Sequence, residues 1–306
     1  MSHLFNSRGH KSKSTLHRET GPESPGSGSS RPTNPARQHI SITVAPVRPV
    51  AGYIGGKYAL ARRLCERIAA TPHSLYAEPF VGMGGVFFRR KLMPHAEIIN
   101  DRNGEVVNLF RILQRHYPQF MDTLRFQITS RREFERLKAS DPATLTDLER
   151  AGRFLYLQRL AFGGKVAGQN FGVNRDGPSR FNLTRLAPML EEAHERLAGV
   201  IIENLDWLDF IERYDRPDTL FYLDPPYYGS EGDYGRALFD RDQFALMADR
   251  LGQLKGRFIL SINDVPQIRE LFSGFDMEGA ELTYSISAGN GTRAKELIIF
   301  SAEDQG

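Results

Sequence analysis

A buried strand that ends in two consecutive prolines constrains this chain more than any other feature. Thr219–Leu223 is mostly apolar and is followed by Asp224, Pro225, Pro226 and Tyr227. Proline donates no backbone hydrogen bond, so the strand cannot continue through this pair. The turn presents a carboxylate, a carbonyl and an aromatic ring at the carboxyl end of the strand, where ligands bind in open α/β sheets. It therefore predicts a site in which Asp224 and the Pro225 carbonyl bind the amine of a planar base and Tyr227 stacks on its ring.

A glycine-rich loop is expected after an earlier strand around residues 75–77. It comprises Glu78, Pro79, Phe80, Gly82 and Gly84, and a helix containing Val86, Phe87 and Phe88 is expected after it. Glycines there allow a tight turn and close approach of a ligand to the backbone. The loop has neither the GxGxxG spacing nor the GK[ST] ending, which gives little support to a nicotinamide or ATP site.

Two further positions carry groups that a ligand could use. Asp101 ends the next predicted strand, where an acid either holds a ribose hydroxyl or caps the following helix. Lys57 follows Tyr53 and two glycines at the start of the first predicted helix. Its ammonium group either pairs with a ligand carboxylate or lies in solvent.

The apolar pattern predicts an α/β body interrupted by a mostly helical insertion. Leu60, Leu64 and Ile68 recur every four residues, as on one face of a helix. Strands and helices alternate over residues 51–114 and again over 199–306, which is typical of a parallel sheet. Helical segments dominate residues 115–198. Residues 1–50 have a low-complexity composition and are expected to be a disordered basic tail.

The charge distribution separates the predicted insertion from the last third of the chain. Residues 111–200 carry fifteen lysines and arginines against ten acids, whereas residues 201–306 carry ten against twenty. The basic segment is either a polyanion-binding surface or ordinary solvated charge.

Composition excludes several classes of protein. At 40% hydrophobic and 25% charged residues the chain is neither wholly disordered nor a coiled coil. No apolar run is long enough to cross a bilayer, so we expect no membrane span. A single cysteine, Cys65, rules out an internal disulfide framework, and the scattered histidines predict no metal site.

Taken in order, these motifs resemble one family, the Dam-like, D12-type adenine-specific DNA methyltransferases. The matching segments span about residues 51–300 and are YIGGK, YAEPFVGMGGVFF, IINDRNGEVVNLF, FLYLQRLAFGGK, FYLDPPYYG, LSINDVPQIRELF and NGTRAKELIIF. DPPY alone is shared with other amino-methyltransferases, and the ordered set is more specific.

The resemblance implies a Rossmann-like, S-adenosylmethionine-dependent methyltransferase sheet whose helical insertion recognises the DNA target. It also implies methyl transfer to N6 of a flipped-out adenine in double-stranded DNA. The implied catalytic residues are Asp224, Pro225, Pro226 and Tyr227. The implied S-adenosylmethionine contacts are Tyr53, Lys57, Glu78, Pro79, Phe80, Gly82, Gly84, Asp101 and Asp224. The DNA-binding candidates are Arg159, Lys165, Asn290 and Arg293.

The resemblance leaves the target sequence open. Gln158 and Gly163 stand where relatives commonly carry asparagine, and the segment after them lacks the arginine with which GATC-methylating relatives read DNA. GATC is therefore not predicted. A cognate restriction enzyme is a candidate partner, and a bacterial or phage-encoded protein of the cytoplasm is expected.

Two alternatives keep part of this interpretation. The DPPY turn suits any ring-borne amine, so cytosine N4 or an amine in RNA are alternative substrates. A DNA-binding relative without catalysis is the other alternative, against which the intact Asp224, Tyr227, Asp101 and Lys57 argue.

Overall fold

Strands and helices alternate along the chain. The computed structural model describes residues 41–53, 57, 59–166, 168–172, 177–229, 239–284 and 292–301, without the side chains of 282–284 and 292–294. The strands there are β1 (Ile42–Thr43), β2 (Leu75–Glu78), β3 (Leu92–Met93), β4 (Ala96–Asn100), β5 (Ile201–Glu203), β6 (Thr219–Leu223), β7 (Arg257–Asn263), β8 (Asp276–Tyr284) and β9 (Thr292–Phe300). The α-helices are α1 (Ala61–Ala70), α2 (Gly104–Arg115), α3 (Tyr117–Leu124), α4 (Arg131–Ala139), α5 (Asp147–Leu160), α6 (Leu183–Arg196), α7 (Trp207–Tyr214), α8 (Gln243–Gly252) and α9 (Pro266–Leu271).

The main sheet has the strand order β5-β4-β2-β6-β7-β9-β8 within the described residues. The five strands from β5 to β7 are parallel, whereas β9 runs antiparallel to both β7 and β8. From β2 the chain builds outward through β4 and β5, and then returns to the other side of β2 to form β6 and β7. The order reverses between β2 and β6, and such a reversal opens a crevice at the carboxyl ends of the strands.

Helices cover both faces of this sheet, and strand β6 shows why. Every residue of β6 is buried. Leu220 and Tyr222 pack into one core with α1, α2, α5 and α6, while Phe221 and Leu223 pack into a second core with α7, α8 and α9. Successive strand side chains point to opposite faces, so a strand buried on both sides reads as an uninterrupted apolar run.

Two short elements differ from the sequence prediction. The helix expected around Val86, Phe87 and Phe88 is only a 3-10 turn over Phe87–Arg89. The rings of Phe87 and Phe88 meet edge to face in the core, and Arg90 is already extended. The other is β1, which lies before residue 51: it pairs with β3, and the Val47 amide donates to the Phe88 carbonyl.

The segment between β4 and β5 is helical, as predicted, and is tied to the sheet at its end. Tyr156 and its neighbours in α5 pack into the same core as α2. Arg196, the last residue of α6, donates to the Glu97 carboxylate at 2.6 and 2.8 Å. Arg90 pairs with the same carboxylate from the other side, and all three side chains are buried.

Neither a membrane span nor a metal cluster occurs among the described residues. None of their helices combines the length and apolar character that crossing a membrane requires. They also bring together no group of three or more His, Cys, Asp or Glu side chains that could hold a metal ion.

Candidate active site

Three neighbouring parallel strands bring acidic side chains to one edge of the sheet. Glu78 is the last residue of β2, Asp101 follows β4, and Asp224 follows β6. These ends meet at the crevice where the strand order reverses. A cavity of about 790 Å³ opens there, within the usual volume of small-molecule sites.

Most residues singled out from the sequence line this cavity. They are Tyr53, Lys57, Glu78, Phe80, Gly82, Asp101, Arg159, Asp224 and Pro226. Other predicted residues support its wall. The Pro79 carbonyl accepts a 2.9 Å hydrogen bond from the Asn100 amide, and a side chain added at Gly84 would overlap the ring of Phe88.

The glycine loop after β2 is fastened by Asp101. One carboxylate oxygen of Asp101 accepts from the Gly82 amide at 2.8 Å, and the other accepts from the Asn103 amide at 2.8 Å. Gly82 has φ +50°, and a β-carbon there would stand 3.1 Å from the Tyr53 ring. Burial raises the pKa of Asp101 to about 6, although the two amide bonds lower it. Asp101 therefore joins the loop after β4 to the glycine loop after β2.

Glu78 lies almost completely buried at the end of β2. The Tyr76 hydroxyl donates to its carboxylate at 2.7 Å. Burial raises the pKa of Glu78 to about 8, against the lowering effect of that hydrogen bond and of Arg90. Glu78 is therefore largely protonated at neutral pH and adds little negative charge to the cavity.

A buried ammonium group organises the opposite wall. Lys57 Nζ lies 2.6 Å from the Asp224 carboxylate and donates to the Tyr227 hydroxyl at 2.9 Å. The Ser261 hydroxyl donates to the same carboxylate oxygen of Asp224 at 3.3 Å. Burial raises the pKa of Asp224 to about 6, with Lys57 acting in the opposite direction. The Asp224 side chain keeps 21% of its surface exposed, so its carboxylate remains accessible at the cavity.

The turn after β6 is held from strand β7. The amide of Tyr228 donates to the Asn263 side chain at 2.9 Å, and the Asn263 amide group donates back to the Tyr228 carbonyl at 3.0 Å. Pro225 and Pro226 of the turn are buried. This pairing gives the DPPY turn a fixed position relative to the sheet.

Sequence reasoning missed three residues that support the DPPY turn. Ser261 and Asn263 lie on β7 and hold the turn, and Glu296 on β9 accepts a hydrogen bond from the Tyr227 hydroxyl. Ser261 and Asn263 read as ordinary strand residues. Glu296 does carry a sequence signal, since it is an acid placed directly before the apolar run Leu297–Phe300. In the structure its side chain is fully buried.

The DNA-binding candidates lie in different surroundings. Arg159 lines the cavity and donates to the carbonyls of Val50 and Arg180, both at 2.6 Å. Lys165 is exposed on the loop after α5. Asn290 lies outside the described residues. Only the backbone of Arg293 is described, in β9 opposite Thr283 of β8.

The two departures at the end of α5 have structural explanations. Gln158 is buried and donates to the carbonyls of Gly52 at 2.8 Å and Gly164 at 2.6 Å. It thereby joins α5 to the segment before Tyr53. Gly163 has φ +69°, a conformation that asparagine also tolerates, so the glycine suits the same turn.

The family model that matches this chain and the relatives named below are all methyltransferases by name. A family model for the D12 class N6 adenine-specific DNA methyltransferases matches residues 53–286. The type II methyltransferase M.CviBI of Paramecium bursaria Chlorella virus NC1A is 23% identical over 82% of this chain and 96% of its own length. The type II methyltransferase M1.LlaDCHI of Lactococcus lactis subsp. cremoris is 26% identical over 83% and 95%. A DNA N-6-adenine-methyltransferase of Escherichia phage P1 is 27% identical over 80% of this chain and 34% of that longer protein.

Proposed function

Since the chain belongs to the D12 class of N6 adenine-specific DNA methyltransferases and is an enzyme that methylates adenine in DNA, we propose that the cavity between β2 and β6 is its active site. The observation that carries this proposal is the position of Asp224. Its carboxylate stands at the end of β6, partly exposed at the cavity, and is held by Lys57 and Ser261. Such a fixed acceptor suits an amine that must be oriented before it reacts.

The cavity also fits S-adenosylmethionine, which supplies an already activated methyl group when bound. Its volume is that of a small-molecule site, and the glycine at position 82 keeps the wall next to Tyr53 free of a side chain. Glu78 is largely protonated, so it adds little unpaired charge. The residues that would hold this group are Tyr53, Lys57, Glu78, Pro79, Phe80, Gly82, Gly84, Asp101 and Asp224.

Asp224 and the Pro225 carbonyl would accept hydrogen bonds from the adenine amine. Those bonds orient the nitrogen lone pair toward the methyl group, and the base ring stacks on Tyr227. The base must leave the duplex to reach this position, at a cost of a few kcal/mol that stacking and pocket hydrogen bonds offset.

Transfer would proceed directly, without an intermediate bound to the protein. Cys65, the single cysteine, lies on α1 with its sulfur 3.9 Å from the Val86 carbonyl. Burial raises the pKa of Cys65 to about 11, so this thiol is not ionised near neutral pH. A buried neutral thiol is a poor nucleophile.

We propose further that residues 51–114 and 199–306 form a Rossmann-like catalytic body and that residues 115–198 form the target-recognition insertion. The strand order and the excess of basic side chains in the insertion support this division. Arg159, Lys165, Asn290 and Arg293 are the proposed contacts to double-stranded DNA. A cognate restriction enzyme is the proposed partner, which the names of two relatives as type II methyltransferases support, and the cytoplasm is the proposed location.

The test is methyl transfer from labelled S-adenosylmethionine to unmethylated genomic DNA, followed by mass spectrometry of the nucleosides. The expected product is N6-methyladenine, and Asp224→Ala should lower its formation by about a thousandfold even at saturating S-adenosylmethionine. Asp264→Ala is the matched control, because Asp264 directly follows the neighbouring strand β7 but pairs with Arg269. Label in N4-methylcytosine would contradict the proposed product, and transfer retained by Asp224→Ala would contradict the role of Asp224.

A further inference from the structure

We propose that Glu296 is a positioning residue that fixes Tyr227 and Lys57 against the reacting base. This inference rests on the proposed function, in which Tyr227 stacks on the flipped adenine and Asp224 binds its amine. Glu296 touches neither group of the substrate in this arrangement. It acts through the tyrosine hydroxyl and the lysine ammonium.

The location of Glu296 is unusual for a side chain without a function. It is fully buried in β9, opposite Asn263 of β7, and is followed by the buried residues Leu297, Ile298 and Ile299. Burying a carboxylate is costly unless charged or hydrogen-bonding partners compensate it. An apolar residue would suit a position that only completed the core.

The partners of Glu296 lead directly to the catalytic turn. The Tyr227 hydroxyl donates to one carboxylate oxygen of Glu296. The other oxygen lies 3.9 Å from Lys57 Nζ. Lys57 in turn donates to the Tyr227 hydroxyl at 2.9 Å and lies 4.2 Å from the centre of its ring. Tyr227 is thus held at its far end by an acceptor and a donor at once.

These contacts determine two properties of the turn. The paired hydrogen bonds restrict rotation of the Tyr227 ring, which is only partly buried. They also divide the single ammonium of Lys57 between two carboxylates, Asp224 at 2.6 Å and Glu296 at 3.9 Å. Without the charge of Glu296, Lys57 would pair with Asp224 alone and compete more strongly with the adenine amine. Both changes weaken transfer and leave the glycine-loop side of the cavity intact.

The experiment is a double-mutant cycle on Glu296→Gln and Tyr227→Phe, with initial rates on unmethylated genomic DNA. Glu296→Gln keeps the size and one acceptor but removes the charge, and Tyr227→Phe removes only the hydroxyl. We expect each change to lower kcat about tenfold, the value of a hydrogen bond to a charged group, with the KM for S-adenosylmethionine unchanged. The double variant should be no slower than the slower single variant, because both changes break the same link.

Glu278→Gln serves as the control for loss of an acid in the adjacent strand. Glu278 lies on β8 and pairs with Arg63 and Arg67, away from the turn, so its loss should leave kcat unchanged. Wild-type kcat in Glu296→Gln, or multiplying effects in the double variant, would overturn the inference. If Glu296→Gln fails to fold, Tyr227→Phe alone tests the inference, because a wild-type kcat in that variant also overturns the inference. Absence of N6-methyladenine with the wild-type enzyme would instead reject the proposed function.

Discussion

The two sides of the cavity are held in place by different kinds of contact. On the glycine-loop side, Asp101 binds the backbone amide of Gly82, only 19 residues away. On the opposite side, Lys57 binds Tyr227 across 170 residues, and Tyr227 binds Glu296 across another 69. The first side is built mainly from backbone conformation and the second from charged side chains on distant elements. We therefore expect the two sides to fail in different ways.

The largest effect is expected on the side built from charges. Lys57→Met leaves Asp224 and Glu296 without their shared cation in a buried site. Breaking a buried ion pair in this way costs about 3 kcal/mol in the free energy of unfolding, and methyl transfer should be lost as well. Urea unfolding measures the first effect and the labelled assay the second. Arg62→Met, which removes an exposed cation from α1, should leave both unchanged; an equal loss in the two variants would contradict this account.

A smaller effect is expected on the side built from backbone. Gly84→Ala would force a β-carbon into the Phe88 ring at a φ of +72°, at a cost of about 1–3 kcal/mol in unfolding free energy. Gly279→Ala in β8 is the control, since nothing lies within 4 Å of its new β-carbon and its φ is not positive. Thermal unfolding of the two variants should differ. Similar Tm values would show that the loop yields without strain.

Activity and stability are expected to depend on pH in opposite ways, through Asp224 on one side of the cavity and Asp101 on the other. The pKa of Asp224 is about 6, so kcat/KM should fall about tenfold for each pH unit below 6, as the acceptor becomes protonated. Stability should respond in the opposite direction. The pKa of Asp101 and of Asp224 is raised above the usual 3.8, so both carboxyls ionise earlier in the unfolded chain. Their contribution to the free energy of unfolding therefore falls as pH rises from about 4 to about 6.

The Asp224→Asn variant isolates that contribution, because its side chain does not ionise. Its stability relative to the wild type should increase between pH 4 and pH 6, as measured by urea unfolding. A constant difference across this range would mean that Asp224 has an ordinary pKa in the folded protein.

The smallest effect is expected where the insertion meets the cavity. Arg159→Met removes a cavity-lining side chain that donates to the Val50 and Arg180 carbonyls, which should raise the KM for S-adenosylmethionine about threefold, and it removes a proposed contact to DNA as well. Lys165→Met should leave that KM unchanged and instead reduce the salt dependence of DNA binding by about one phosphate contact. A raised KM in Lys165→Met, or a salt dependence of DNA binding that neither variant changes, would contradict these roles.

The features predicted well from sequence are those that depend on neighbours along the chain. The apolar run before Asp224 and the prolines after it define a strand end without reference to the rest of the fold. The glycines at 82 and 84 similarly mark a turn that other residues cannot easily form. Because carboxyl ends of parallel strands meet at one edge, the convergence of Asp101 and Asp224 is predictable as well.

The features missed depend on contacts between distant segments. Nothing in the local pattern distinguishes Ser261 or Asn263 from other strand residues. Their importance comes from their contacts with the turn after β6, the strand beside β7. Glu296 belongs to the NGTRAKELIIF motif, but its burial against Lys57 and Tyr227 depends on the antiparallel placement of β9. Strand β1 is missed as well, because Ile42–Thr43 has no apolar pattern of its own and is held by pairing with β3.

The ion pairs around Glu97 limit how the proposed target-recognition insertion can be exchanged between relatives. Arg196 belongs to the last helix of the insertion, yet its charge balances an acid buried in β4. A chimaera in which a relative's segment replaces residues 115–198 would carry that relative's residue at the position of Arg196. Unless that residue is an arginine, Glu97 keeps only Arg90, and the body loses stability whatever DNA sequence the new segment reads. The boundary for such grafts should therefore lie before Arg196.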